Sequence, residues 1–153
     1  IINLLKRFPN LYKTKNMAIK EKIMMVSGKR KTSVAKVRIL PGNGKVLINN
    51  IPKELLYEFH KLSIEEPLRI AKNVLKTIDF DMYVKVSGGG RESQIEAARL
   101  AIAKALVKKS KSEQLRKALL AYDKFILIAD VRRKEAYKPG DSKARAKRQT
   151  SYR

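Results

Sequence analysis

The chain has 153 residues, 44% of them apolar, which is enough for one domain with a real core. Its 36 Lys and Arg against 14 Asp and Glu leave a formal net charge of +22 and a pI near 10.4. So strong a field needs a dense anion beside it, and nucleic acid fits better than an acidic membrane because the cations run along the whole chain and are not gathered on one apolar-backed helix. The lack of cysteine excludes disulfides and thiolate metal sites, and no apolar run approaches the roughly 18 residues of a membrane span.

Residues 1–25 read as a basic N-terminal arm. Ile1 to Leu5 is apolar but too short for a signal-peptide core, and its Lys6-Arg7 pair follows the apolar run where a secretory signal would carry charge in front. Met17, Met24 and Met25 lie just ahead of the first strongly patterned segment, so part of this arm is expected to be an upstream extension or an incomplete start. Regular structure is expected from Thr32 to Leu40, where Ala35, Val37 and Ile39 alternate with Lys36 and Arg38 in the period of a half-buried strand. Pro41-Gly42-Asn43-Gly44 supplies turn chemistry, and Val46-Leu47-Ile48 is read as the second arm of a hairpin. Lys29-Arg30-Lys31 at the strand entry has no acids nearby to pair with.

Pro52 fits the first position of a helix carrying Leu55, Leu56, Phe59 and Leu62. The capping pattern Ser63-Ile64-Glu65-Glu66, with Pro67 in the first turn, then opens a second helix through Leu68, Ala71, Leu75 and Ile78. Both are read as core-facing, with His60, the one histidine, as a partly packed ring. Phe80 to Ser87 alternates again, with Met82, Val84 and Val86 on one side and Tyr83 and Lys85 on the other. It runs into Gly88-Gly89-Gly90 and then a helix opened by Arg91-Glu92-Ser93-Gln94, with Ile95, Ala98, Ile102, Ala105 and Leu106 as its buried stripe.

A glycine turn between strand and helix admits two readings. Bare N–H groups and a helix dipole can cradle a phosphate, or three glycines can serve a sharp turn and close packing. Neither G-x-x-x-x-G-K-[ST] nor G-x-G-x-x-G is present, so a nucleotide-hydrolysing loop has no support. Ser110-Lys111-Ser112-Glu113 repeats the capping pattern before Leu115, Leu119 and Tyr122, and Phe125 to Ala129 is an edge strand or a buried return.

From Arg132 onward there are nine basic residues and two acids, with little to bury. The chain is therefore divided into the arm over 1–25, a globular α+β domain over 26–130, and an extended basic tail over 131–153. The domain is expected to be a small mixed sheet with helices packed on one face.

With these landmarks the chain resembles the universal small-subunit ribosomal protein nine family, in its archaeal and eukaryotic-type branch. The matching stretches are Gly28-Lys29-Arg30-Lys31-Thr32-Ser33-Val34-Ala35, Pro41-Gly42-Asn43-Gly44-Lys45, Glu66-Pro67-Leu68, Gly88-Gly89-Gly90 with Gln94 and Ala97-Ala98-Arg99, and the ending Ala144 to Arg153. They keep the family's order over residues 28–153, and the arm has no assigned counterpart. The resemblance implies a fold like the second domain of ribosomal protein five, lodged on rRNA in the head of the small subunit beside neighbouring head proteins. It further implies a tail threading through rRNA to the peptidyl-site tRNA, and a cytoplasmic protein with no catalytic role, cofactor, metal or small-molecule substrate.

The residues suit that part. The tRNA candidates are Lys147, Arg148, Tyr152 and Arg153, since a guanidinium can hold one phosphate by two hydrogen bonds and a tyrosine ring can stack on a base. On the domain, Lys29, Arg30, Lys31, Lys36 and Arg38 are candidate rRNA contacts, together with Gly88, Gly89, Gly90, Arg91 and Arg99. In the tail they are Arg132, Arg133, Lys134, Lys138, Lys143 and Arg145. Two rival classes share parts of this pattern: a free RNA chaperone, which would form a population outside ribosomes, and an enzyme on phosphorylated substrates, which would need an acid in the glycine turn that the sequence lacks.

Overall fold

The computed structural model describes residues 24–140, 143–146 and 151. Most of the expected arm and the tail residues Lys147, Arg148, Tyr152 and Arg153 lie outside them.

Strands β1 (Met24–Arg30) and β2 (Ser33–Pro41) form an antiparallel hairpin closed by Lys31 and Thr32, with Lys31 at a positive φ of 50°. Two residues assigned to the arm, Met24 and Met25, therefore open a strand. Gly28 blurs the alternation of β1, and the structure shows what it is for: a Cβ there would stand 2.6 Å from the Ala97 carbonyl oxygen and 2.7 Å from the Ala101 nitrogen. Only a bare backbone lets the overlying helix settle that close.

β3 (Val46–Ile48) does not pair with β2, contrary to the hairpin expected from the Pro41–Gly44 turn. β5 (Phe80–Ser87) slots between them, antiparallel to β2 and parallel to β3, and the sheet order is β1-β2-β5-β3-β4, with β4 being Ile51–Pro52. The physical reason is length. β5 matches β2 from Val34 to Pro41 with every inward residue buried, whereas β3 offers only three residues. Asp81 at the start of β5 ties the displaced turn down, accepting from the backbone N–H of Asn43 at 3.0 Å and of Lys45 at 2.8 Å.

The two helices expected around Pro67 are one. After a 3-10 turn at Lys53–Leu55, α1 runs unbroken over Glu58–Leu75. Pro67 lacks the N–H that would bond Ser63, but Ile64, Pro67, Leu68 and Ala71 form one buried stripe across the boundary, and continuous packing carries the helix through. The expected first helix is mostly not core-facing: Leu55, in the 3-10 turn, and Phe59 and Leu62, near the start of α1, are exposed, while Leu56 packs partly against the core. Pro52 lies in β4, and α1 stops before Ile78 where Lys76 turns to a φ of 64°.

α2 (Arg91–Ser110) lies on β1, β2 and β5, and α1 packs on α2 and on α3 (Glu113–Tyr122). Covered from two sides, α2 buries Ala97, Leu100, Ala101 and Ala103 as well as the expected Ala98, Ile102, Ala105 and Leu106, while Ile95 is only partly buried. The cap of α3 is Ser112, whose hydroxyl accepts from the Leu115 N–H at 3.3 Å, and not Ser110. Phe125 to Ala129 is neither an edge strand nor buried throughout: it begins in a 3-10 turn at Lys124–Ile126 in which Ile126 is fully buried, while Phe125 and Ile128 are exposed. The result is the α+β arrangement expected, a five-stranded mixed sheet with helices on one face.

Candidate nucleic-acid interface

Helices cover one face of the sheet, and the alternation of β2 and β5 sends Lys36, Arg38, Tyr83 and Lys85 to the other. Register then sets them side by side. Lys36 stands directly across from Lys85, and Arg38 across from Tyr83, which neighbours Leu47 of β3. On β1, Lys29 stands across from Val34 on the same face. Like charges facing each other across strands are destabilising, and among the described residues none of Lys29, Lys36, Arg38 and Lys85 has an acidic partner. Beside this band is a hollow of about 500 Å³ whose lining includes Arg38, Leu47, Asn49, Asn50, Tyr83 and Lys85.

Its far wall is a side chain acting as a strand. Asn49 and Asn50 form the two-residue turn between β3 and β4, both at positive φ, as such turns require. The Asn49 carboxamide then accepts from the Val86 N–H at 2.8 Å and donates to the Val86 carbonyl at 3.2 Å, so it pairs with β5 where β3 has already turned away.

Arg30 and Arg99 are placed differently from the exposed cations. Arg30 points to the helix side, where it pairs with Glu96 and Asp130, and Arg99 bridges Glu66 at 2.6 Å and Asp123 at 3.0 Å. Both are mostly buried and spend their charge inside the molecule. Asp130 is held well below the usual carboxylate range, first by the Arg132 side chain, then by the Arg132 backbone N–H, with Arg30 adding to both.

The glycine turn is knit to β2. The Gly88 carbonyl accepts from the Ser33 hydroxyl at 2.9 Å and from the Gln94 amide at 3.0 Å, and the Gly90 N–H donates to the Ser93 hydroxyl at 3.1 Å. Gly88 and Gly89 have positive φ, and a Cβ on Gly89 would fall 2.0 Å from the Ser33 hydroxyl oxygen. Close packing thus accounts for those two. Gly90, with nothing within 4 Å of an added Cβ, and the exposed Arg91 remain open to a ligand.

In the tail Arg133, Lys138 and Lys143 are exposed, as are Lys31 on the β1–β2 turn and Lys134, which lies over the Tyr137 ring at 4.3 Å. Arg132 pairs with Asp130 and Arg145 with Glu135. The described tail residues form no helix or strand beyond Ile126. Sequence reasoning missed Lys85, Tyr83 and Asn49 as members of this face. The outward alternation of Tyr83 and Lys85 was visible, but pairing β2 with β3 hid their neighbourhood with Lys36 and Arg38.

Residues 28–153 match the family model described as Ribosomal protein S9/S16. A protein of Desulfurococcus amylolyticus called small ribosomal subunit protein uS9 is 43% identical over 92% of this chain and 99% of its own length. Its namesake in Picrophilus torridus is 46% identical over 82% of this chain and 94% of its own, and that of Methanococcus vannielii 40% identical over 86% and 99%.

Proposed function

The chain belongs to the ribosomal protein S9/S16 family, structural constituents of the small ribosomal subunit and not enzymes, and from that membership we propose that its open sheet face seats it on rRNA of the subunit head. The observation that carries the reading is the unneutralised band of Lys29, Lys36, Arg38 and Lys85 around Tyr83, an arrangement that costs the free protein stability and is relieved by phosphates. Lys31, the turn at Gly90 with Arg91, and Arg133, Lys134, Lys138 and Lys143 extend the contact. Arg30 and Arg99 serve it by bracing the body, and Arg132 and Arg145 by fixing the start of the tail. The last residues, Lys147, Arg148, Tyr152 and Arg153, then reach the peptidyl-site tRNA, gripping its backbone without reading sequence, as one protein serving many tRNAs must. The working place is the cytoplasm, inside the assembled subunit.

The test is sedimentation with crosslinking. The chain is expected to travel with the small subunit on a sucrose gradient, and a photoreactive residue replacing Tyr83 is expected to join small-subunit rRNA. A dominant free population, or a Tyr83 position that joins no RNA in the subunit, overturns the reading.

A further inference from the structure

The acids of this cationic chain are not evenly spread. Between Ile51 and Glu66 stand Glu54, Glu58, Glu65 and Glu66 against only Lys53 and Lys61, so the stretch is net negative within a chain of +22. Glu65 is taken by Lys53 and Arg69, and Glu66 by Arg99. Glu54 and Glu58 are exposed and have no ion pair among the described residues.

The same stretch turns its large apolar groups outward. Leu55 is 76% exposed, Tyr57 66% and Phe59 68%. The Tyr57 ring lies 5.6 Å from that of Phe59 and 5.7 Å from that of His60, and the three rings with Arg91 and Glu92 wall a hollow of about 620 Å³. Glu92 fixes the inner wall by its 2.9 Å contact with His60. Clustered aromatics left in water mark a contact surface. Arg91, at the edge shared with the glycine turn, stays with the RNA contact; beyond it a polyanion is the wrong occupant, because phosphates would meet Glu54, Glu58 and Glu92, whereas a basic segment gains from all three.

We propose that this corner docks a neighbouring protein of the small subunit, through a segment that seats an aliphatic or aromatic side chain between Tyr57 and Phe59 and sets Lys or Arg against Glu54 and Glu58. It rests on the membership reading only for placing the chain inside the subunit. The body would thus be held from two directions, by RNA on the open sheet face and by protein at the start of α1.

The experiment uses p-benzoylphenylalanine in place of Phe59 in the full chain, irradiated within purified small subunits, with the crosslinked peptides sequenced. The expected product joins another subunit protein at a peptide of net positive charge. Joining Glu54→Lys with Glu58→Lys is expected to cut its yield roughly tenfold while the chain still sediments with the subunit. Both side chains are exposed, so the fold is retained. A product with rRNA, with residues 1–23 of the same chain or with a second copy overturns the docking and leaves the membership reading standing, as does a yield indifferent to the charge reversal. A chain that never enters the subunit overturns both.

Discussion

A single hydrogen in place of a methyl decides how close α2 comes to the sheet. Gly28→Val is expected to destabilise the protein by about 1–3 kcal/mol in denaturant unfolding, since the added atoms would run into the α2 backbone at Ala97 and Ala101, which cannot yield as a side chain could. Gly90→Ala is expected to stay within about 0.5 kcal/mol of the parent, because its φ is −100° and nothing lies within reach. Asp130 is a second residue whose surroundings can be read out. Its depressed pKa contributes stability that is fully present above the unfolded value of about 3.9 and is lost as pH falls toward the folded one. Asp130→Asn should therefore flatten the acid limb of a stability–pH profile below about pH 4. Sequence showed which residues were small or charged. It could not show that Gly28 faces Ala97 or that Arg30 finds Glu96, because both pairs join segments nearly seventy residues apart, as the 66-residue separation of Arg30 and Glu96 illustrates.

At the scale of elements, local pattern served where one element explains itself. β2, β5 and α2 were legible from alternation and from the glycine turn, since each carries its own period and its own stop signals. Pairing was not legible. The turn at Pro41–Gly44 argued for a hairpin, and only competition with the longer β5 decides that β3 stands two places away from β2. Proline likewise misled at Pro67, where the buried stripe outweighs one missing hydrogen bond. Asn49 tests this level. Asn49→Gly keeps the turn's φ but strips the carboxamide from Val86, and a loss of about 1–3 kcal/mol is expected, with faster amide exchange at Val86. An unchanged exchange rate there would mean the carboxamide does not hold the strand.

For the whole molecule, an aliphatic core folds the body and leaves the cationic charge on its surfaces, which on the proposed reading meet RNA. Deleting Thr150 to Arg153 is expected to leave subunit assembly intact while weakening peptidyl-site tRNA binding and frame maintenance, read by toeprinting and frameshift reporters. Substituting Lys85 by Ala should lower RNA affinity and reduce the salt slope of binding by roughly 0.7–0.9. The confrontation of Lys36 with Lys85 across the middle of the sheet has one more consequence. Mobile ions shield that repulsion, so the unbound protein should melt at higher temperature as ionic strength climbs, while its hold on RNA slackens over the same titration. Dilute buffer is then the medium in which the molecule most wants company, and the two curves, run side by side, should slope in opposite directions.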